Sequence, residues 1–178
     1  GKGEWHTVQT NLIGAYNVDN ALAAITIGLK MGVKEQDASD AVAGYKPQNN
    51  RSQLTETGRN RLVVDAYNAN PTSMAAAIEN FSMMKAQDKM LILGDMRELG
   101  DVSADEHRRI VGMLREKGFD CVWLVGSEFK AVAGDSGFRL FADVDEVNKA
   151  LESEKITGKT ILIKGSNSIG LTKTITNL

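Results

Sequence analysis

Short apolar runs alternate with helix-like segments through most of this chain, and this alternation restricts the fold more than any other feature. Three runs, in KMLILGD (89–95), DCVWLVG (120–126) and TILIKGS (160–166), are almost continuously apolar, as is typical of strands buried on both faces. FRLFA (138–142) predicts a further strand, and a hairpin is predicted around Gly58-Arg59-Asn60.

Helices are predicted between these strands, from Pro71 or Thr72 to about Met84, from Ser103 to about Lys117, from about Ser127, and from Val144 to Ser153. Ser103 and Glu106 fit a capping box, S-x-x-E, at the start of the second of these helices. Because parallel strands need long crossover connections, this order of elements predicts an α/β fold, with a Rossmann-like, mostly parallel sheet and flanking helices.

The first section of the chain is predicted to be mainly helical. Apolar residues at helical spacing cover Val18–Met31, and a shorter helix is predicted over Lys34–Ala43. The polar segment YKPQNNRSQ (45–53) then predicts a linker. We therefore divide the chain into residues 1–48, a helical piece of one domain with its linker, and residues 49–178, an α/β domain.

Composition excludes several classes of partner. The 178 residues carry a net charge of −2, and the scattered basic residues provide no field for nucleic acid. A single cysteine, Cys121, excludes an internal disulfide and suits a reducing compartment. No apolar run approaches the ~18 residues of a membrane span. We expect a cytoplasmic protein without an integral membrane segment and, because the sequence begins at Gly1 without Met, one cut from a longer chain.

Ligands of such sheets bind outside the carboxyl ends of the strands, so the loops at those ends are where a site is expected. DAYNANP (65–71) places Asp65, Asn68 and Asn70 between a strand and a helix. A carboxylate there could accept ribose hydroxyls, and the amides could donate and accept near a helix N-terminus. An Asx-turn with an N-cap explains the same residues locally, and the residues alone support both interpretations equally.

Two further strand ends carry polar side chains. GDMRELGD (94–101) offers Asp95 and Glu98, which could bind an ammonium group or orient loops, although a solvated loop is favoured by the residues alone. His107 in the next helix is interpreted as a surface or packing histidine. KGSNS (164–168) offers Lys164, Ser166 and turn amides as a nest for a carboxylate or phosphate, with an ordinary strand-to-helix turn as an equal alternative.

The first section adds two asparagines at a predicted helix start. GAYNVDNALAA (14–24) places Asn17 and Asn20 three residues apart. One of them is expected to cap the helix, but two amides on one face exceed what a cap requires, so a base or ribose is a second interpretation. Arg51, in the linker, could pair with phosphate or be a surface charge. Gly158-Lys159-Thr160 resembles the end of a P-loop, but it leads into a strand and lacks the first glycine, so we reject it.

Together these motifs resemble the Mur ligases. The order is GAYNVDNALAA, P-x-x-x-R at 47–51, VVDAYNANPTSM (63–74), LGDMRELG with His107 behind it, and IKGSNSIGL (163–171). Within the family, Y-N-A-N-P followed by S-M, G-D-M-x-E-L-G and K-G-S are similar to the branch that adds D-alanyl-D-alanine to UDP-N-acetylmuramoyl-tripeptide. The resemblance covers nearly the whole chain.

The resemblance implies a three-domain enzyme of which this chain is the tail of the central ATPase domain and the whole Rossmann-like C-terminal domain. ATP would phosphorylate the tripeptide carboxylate, and the amine of D-Ala-D-Ala would attack the acyl phosphate. The implied partners are these two small-molecule substrates and the missing N-terminal and central domains. Magnesium is expected in the full enzyme, with ligands outside this chain, and the fragment alone is expected to be inactive.

The resemblance also implies roles for individual residues. The implied nucleotide-binding residues are Asn17, Asn20, Arg51, Asp65, Asn68 and Asn70. The implied residues that line or support the dipeptide pocket are Asp95, Glu98, Lys164 and Ser166. We assign no catalytic residue and no metal ligand.

Four positions depart from the family pattern. Val64 stands where a second acidic residue is common, and Tyr16 stands where histidine is common. Asn167 and Ile169 replace the arginine and methionine often found in the last motif, which removes an expected anion contact. Two other functions remain as alternatives: a non-catalytic nucleotide- or dipeptide-binding module, and a Mur-type ligase for another amine.

Overall fold

The computed structural model describes residues 6–14, 16–47 and 52–178, apart from the side chain of Tyr16. Within this part, six strands form one sheet in the order β1-β2-β6-β3-β4-β5. Strand β1 pairs antiparallel with β2, and the other four pairings are parallel. The predicted Rossmann-like, mostly parallel sheet is therefore confirmed.

The elements follow the predicted order. The strands are β1 (Gln53–Glu56), β2 (Arg61–Asp65), β3 (Lys89–Gly94), β4 (Val122–Val125), β5 (Arg139–Phe141) and β6 (Thr160–Lys164). The helices are α1 (Tyr16–Lys30), α2 (Glu35–Gly44), α3 (Pro71–Met83), α4 (Ser103–Glu116), α5 (Ser127–Val132) and α6 (Val144–Glu154). The chain ends in two 3₁₀ segments, Asn167–Ile169 and Leu171–Asn177.

Each face of the sheet has its own hydrophobic core, because strand side chains alternate between faces. In the central strand β3, Leu91 and Leu93 point to the face covered by α3, α4 and α5. Met90 and Ile92 point to the opposite face, which α6 and the C-terminal 3₁₀ segment cover. Because β6 pairs parallel with both β2 and β3, the carboxyl ends of these three strands lie side by side at one edge of the sheet.

The capping box predicted at Ser103 is wrong. A 3₁₀ turn, Gly100–Val102, precedes α4, so the N-cap position falls on Val102, which makes no side-chain cap bond. The Ser103 hydroxyl instead donates to Glu128 Oε2 at 2.7 Å. A reciprocal cap does exist at α3, where Asn70 and Ser73 bond each other's backbone N–H groups.

Helices α1 and α2 pack against each other, and Gly28 lies at their contact, since a Cβ on it would lie 3.9 Å from Ala38 Cβ. Apolar side chains on and after α1 remain exposed, among them Val18, Leu22, Ile27 and Met31. A helix that exposes this much apolar surface has more hydrophobic face than its described neighbours cover. The predicted boundary between residues 48 and 49 lies outside the described residues.

Candidate nucleotide-facing site at the strand ends

An open cleft of about 560 Å³ lies where β2 and β6 end. Its lining residues come from α1, from the turn after β2, from the start of α3 and from the end of β6: Asn17, Asn20, Ser52, Asp65, Tyr67, Asn68, Asn70, Thr72, Ser73, Ala76 and Lys164. Five of the six predicted nucleotide-binding residues thus lie in one cleft. Arg51, the sixth, lies outside the described residues.

Lys164 is the most deeply buried charge of this cleft. Its side chain is 1% exposed, and its Nζ donates to Asp65 Oδ2 at 2.7 Å and to the Asn68 carbonyl at 3.1 Å. Asp65 and Lys164 are register partners in the neighbouring parallel strands β2 and β6. This pairing brings the two charges together at the sheet edge. Asp65 Oδ1 accepts from the backbone N–H of Ser52 at 3.2 Å.

This placement changes the grouping of Lys164. The Lys164 ammonium is used within the protein, because it is 1% exposed and donates to Asp65 and to the Asn68 carbonyl. Lys164 was predicted to belong with the dipeptide pocket, whereas the structure places it with Asp65 and Asn68.

Local hydrogen bonds use the side-chain oxygens of both motif asparagines. Asn70 Oδ1 accepts from the Ser73 N–H at 2.8 Å, and Ser73 Oγ accepts from the Asn70 N–H at 3.1 Å. Asn68 Oδ1 accepts from the N–H of Ala69 at 2.8 Å. Within the described part of the chain neither Nδ2 donates a hydrogen bond, so both amide nitrogens remain available at the cleft. The capping interpretation and the ligand interpretation therefore use different atoms.

The two asparagines of α1 are linked by a hydrogen bond at the rim of the cleft. Asn17 Nδ2 donates to the Ile13 carbonyl at 2.7 Å, and Asn20 Nδ2 donates to Asn17 Oδ1 at 3.1 Å. Both also line a neighbouring groove of about 440 Å³ with Ala21, Ala24 and Tyr45. The first section and the sheet domain thus present polar and apolar surface side by side.

Asp95 does not face the cleft. Its side chain is fully buried, and it accepts from the N–H of Glu128 at 3.0 Å and of Phe129 at 2.9 Å, which satisfies the first turn of α5. Gly126 makes room for it, because a Cβ at that position would overlap the Asp95 carboxylate. Asp95 was predicted to line or to support the dipeptide pocket, and its burial is compatible with a supporting role only.

His107 is a buried packing residue rather than a surface one. Its Nε2 accepts from the N–H of Met96 at 3.1 Å, so the proton lies on Nδ1, which donates to the Ser103 carbonyl at 2.7 Å. Its ring contacts Phe129 edge-on, with centroids 4.6 Å apart. His107 thereby fixes the first residue of the turn after Asp95.

Ser166 connects the turns that follow three strands. Its N–H donates to the Asp95 carbonyl at 3.1 Å, and its Oγ accepts from the Arg97 N–H at 2.9 Å. The hydroxyl also donates to the Ala69 carbonyl at 3.4 Å. The strand ends meet closely here, since a Cβ on Gly165 would lie 2.9 Å from Gly94 Cα. The turns after β2, β3 and β6 are therefore one connected unit.

The opposite edge of the sheet carries a second polar depression of about 470 Å³, lined by Lys89, Lys117, Lys159 and Cys121 among others. Asp88 and Asp120 line the same depression, so its charges are mixed. Burial raises the pKa of the Cys121 thiol above its ordinary value of 9.0. A thiol held protonated at neutral pH is a poor nucleophile, so Cys121 is not a candidate for nucleophilic catalysis.

Comparison with known families places this arrangement. Residues 50–167 match the family described as Mur ligase, glutamate ligase domain. The chain belongs to the Mur ligase family. Among curated Mur ligases, the UDP-N-acetylmuramoyl-tripeptide–D-alanyl-D-alanine ligase of Treponema pallidum (strain Nichols) is 31% identical over 96% of this chain and 38% of its own length. The Bacillus subtilis (strain 168) ligase of the same name is 30% identical over 99% of this chain and 41% of its length.

Solved Mur ligases share the fold. MurF from Acinetobacter baumannii superposes with a TM-score of 0.80 at 27% identity, over 93% of this chain and 38% of that protein. MurF ligase from Thermotoga maritima, solved in complex with ADP, superposes with a TM-score of 0.75 at 22% identity, over 93% of this chain and 38% of that protein. The chain spans roughly two fifths of the length of these relatives. No helix among the described residues is long and apolar enough to cross a membrane.

Several residues of the Mur ligase cleft escaped prediction. Ser52 contributes a backbone N–H, and Tyr67, Thr72 and Ser73 line the wall. Thr72 and Ser73 carried a detectable signal, because hydroxyls at a helix start beside an asparagine are capping candidates. Ser52 carried none, since its position depends on the pairing of β1 with β2.

Proposed function

We propose that this chain is the C-terminal part of an ATP-dependent amide ligase that joins D-alanyl-D-alanine to UDP-N-acetylmuramoyl-tripeptide in peptidoglycan precursor synthesis. The single observation that carries the proposal is the cleft that gathers Asn17, Asn20, Asp65, Asn68 and Asn70 in a member of the Mur ligase family. The names of the similar ligases from Treponema pallidum and Bacillus subtilis support the choice of substrates.

The chemistry requires activation, because a carboxylate is a poor electrophile at neutral pH. Phosphoryl transfer from ATP to the tripeptide carboxylate forms an acyl phosphate and ADP. The amine of the dipeptide then attacks the carbonyl carbon, the amide bond forms, and phosphate leaves with the bonding electrons of the C–O bond. Catalysis of this kind rests on positioning and on electrostatic stabilisation.

The described residues suit the binding part of this reaction. Asp65 offers carboxylate oxygen to ribose hydroxyls, and the free amide nitrogens of Asn68 and Asn70 offer donors to phosphate oxygens. Asn17 and Asn20 lie between the cleft and the apolar groove of α1, a combination that suits a base with polar edges. Arg51 is proposed to reach the phosphates from the linker.

The phosphate cradle and the metal are proposed to belong to the rest of the full-length protein. The described residues contain no group of three or more His, Cys, Asp or Glu side chains that could hold a metal ion. A Mg²⁺ ion bound elsewhere would neutralise phosphate charge, and the residues of this chain would bind and orient the nucleotide.

The exposed apolar residues of α1 support a division at residues 48–49, with 1–48 as the tail of the central ATPase domain. Val18, Leu22 and Ile27 need an apolar partner, and the preceding part of that domain would provide it. The enzyme is proposed to act in the cytoplasm, where ATP and UDP-linked precursors are available.

The test is product formation by the full-length polypeptide that contains this chain. We expect ATP, the UDP-linked tripeptide and D-Ala-D-Ala together to give a new amide, detected by mass spectrometry, and single amino acids to give none. Amide formation with another amine in preference to the dipeptide would contradict the proposed substrate. Ligand binding without any ATP-dependent product would identify a binding module instead.

A further inference from the structure

The dipeptide pocket predicted from the sequence contains no available cation. Lys164 is 1% exposed and its charge is paired with that of Asp65. Asp95 is buried beneath α5, and the Ser166 hydroxyl bonds two neighbouring turns. Of the four predicted residues only Glu98 is exposed, and it is negative.

A free dipeptide, however, carries a carboxylate at one end and an amine at the other. Electrostatic complementarity at such a site requires a positive group for the carboxylate. Arginine is well suited to this task because its guanidinium can donate two parallel hydrogen bonds to the two carboxylate oxygens.

The turns at this edge that the structure describes contain one positive side chain. Among the described residues, the turns after the five parallel strands cover 66–70, 95–102, 126, 142–143 and 165–170, and their only lysine or arginine is Arg97. It is exposed, and no ion pair holds its guanidinium within the described part of the chain. Its charge is therefore available to a ligand.

The backbone of Arg97 is fixed although its side chain is free. Its N–H donates to Ser166 Oγ at 2.9 Å, and the preceding residue, Met96, is held by His107 at 3.1 Å. The next residue, Glu98, is exposed and adopts a left-handed backbone with φ 65°, a conformation that non-glycine residues rarely adopt. The fixed turn after β3 thus presents the positive side chain of Arg97 and the negative side chain of Glu98 next to the turn after β6.

We propose that Arg97 is a specificity-determining residue that binds the carboxylate of the incoming dipeptide. This inference rests on the proposed function and extends it, because it names the group that distinguishes a free dipeptide from a blocked one. Asn167, in the adjoining turn after β6, has an uncharged amide and cannot neutralise a carboxylate.

The test uses the full-length polypeptide with ATP, the UDP-linked tripeptide and two amine substrates, D-Ala-D-Ala and its C-terminal amide. The wild-type protein is expected to use the amide about 10- to 100-fold less efficiently, as loss of a charge-assisted hydrogen bond predicts. Arg97→Gln is expected to lose the same factor on the free dipeptide and to discriminate no longer, while KM for ATP and for the tripeptide is unchanged. Arg97→Lys should retain part of the discrimination.

Arg115→Gln is the matched control, since Arg115 is an exposed arginine near the end of α4 and its loss should leave both substrates unaffected. If Arg97→Gln still discriminates, or if it raises KM for the tripeptide instead, the inference is wrong while the ligase function stands. A wild-type protein that is indifferent to the blocked carboxylate would also contradict the inference. Failure to form an amide with any dipeptide would remove the proposed function, and the inference with it.

Discussion

At the scale of single residues, the two asparagines of the motif separate capping from ligand binding. Asn70→Ser keeps a side-chain oxygen for the α3 cap but removes the free amide nitrogen, so we expect stability within about 0.5 kcal/mol of wild type. In the full-length protein the same variant should raise KM for ATP. Asn70→Ala should in addition lose about 1 kcal/mol of unfolding free energy. Unchanged ATP kinetics in Asn70→Ser would leave Asn70 with a capping role only.

Asn68 offers a second test at the same scale. Asn68→Ala removes a donor at the cleft and only a local bond to Ala69. We expect a higher ATP requirement or slower turnover by the full-length protein, with an unfolding transition close to that of wild type. Kinetics equal to wild type would remove this motif from the nucleotide site.

The Lys164–Asp65 pair is the residue-scale feature with the largest expected effect on stability. Lys164→Met leaves the Asp65 carboxylate without its partner, and removing one member of a buried pair is strongly destabilising. We expect a loss of about 3 kcal/mol in urea unfolding, the low end for such pairs, because Asp65 keeps partial access to solvent. Adding Asp65→Asn should recover part of the loss.

Lys89→Met is the matched control for that measurement. The Lys89 ammonium donates to the Ser82 carbonyl at 2.7 Å and pairs with no carboxylate in the described structure, so we expect a loss of about 1 kcal/mol. Equal losses in the two lysine variants would show that the ion pair with Asp65 adds nothing.

At the scale of elements, the start of α5 depends on a glycine. Gly126 has φ 120°, and a Cβ there would meet the Asp95 carboxylate. Gly126→Ala is therefore expected to destabilise the fold by more than about 3 kcal/mol, since it combines backbone strain with displacement of a buried, hydrogen-bonded carboxylate. Gly112→Ala, inside α4 with nothing within 4 Å of the new Cβ, should stabilise by about 0.5–1 kcal/mol. The measurement is thermal or urea unfolding of both variants, and stability changes of the same sign in the two would contradict this account.

The elements themselves were largely predictable from sequence, and the details of their ends were not. The apolar runs at 89–95 and 160–166 predicted buried strands because period and length leave few alternatives. The predicted N-cap of α4 was wrong by one residue, because a 3₁₀ turn precedes Ser103 and places the N-cap at Val102. No local sequence pattern predicts such a turn.

The site was predictable as a set of loops but not as a set of contacts. Asp65, Asn68 and Asn70 were predicted from their position after a strand, which the fold class determines, and the structure brings them into one cleft. The burial of Asp95 depends on Gly126, and the grouping of Lys164 depends on the register of β6 against β2. Both are tertiary relations that sequence spacing does not encode.

At the scale of the whole molecule, we propose that the cleft is one wall of a nucleotide site. Its donors come from the strand ends and from α1, and the exposed apolar face of α1 supports the proposal that this helix packs against the rest of a central domain in the full-length polypeptide. Because the sequence has no P-loop, the proposed function takes the γ-phosphate contacts from a central domain of the full-length polypeptide. The chain should therefore require that domain for turnover.

Phosphate release, measured side by side for this 178-residue chain and for the full-length polypeptide, tests the central claim most directly. With ATP, the UDP-linked tripeptide and D-Ala-D-Ala, we expect the full-length protein to release one phosphate for each amide formed, and the chain alone to release none above background. Sustained, inhibitor-sensitive ATP turnover by the chain alone, or phosphate release by the full-length protein that does not depend on the dipeptide, would contradict the account.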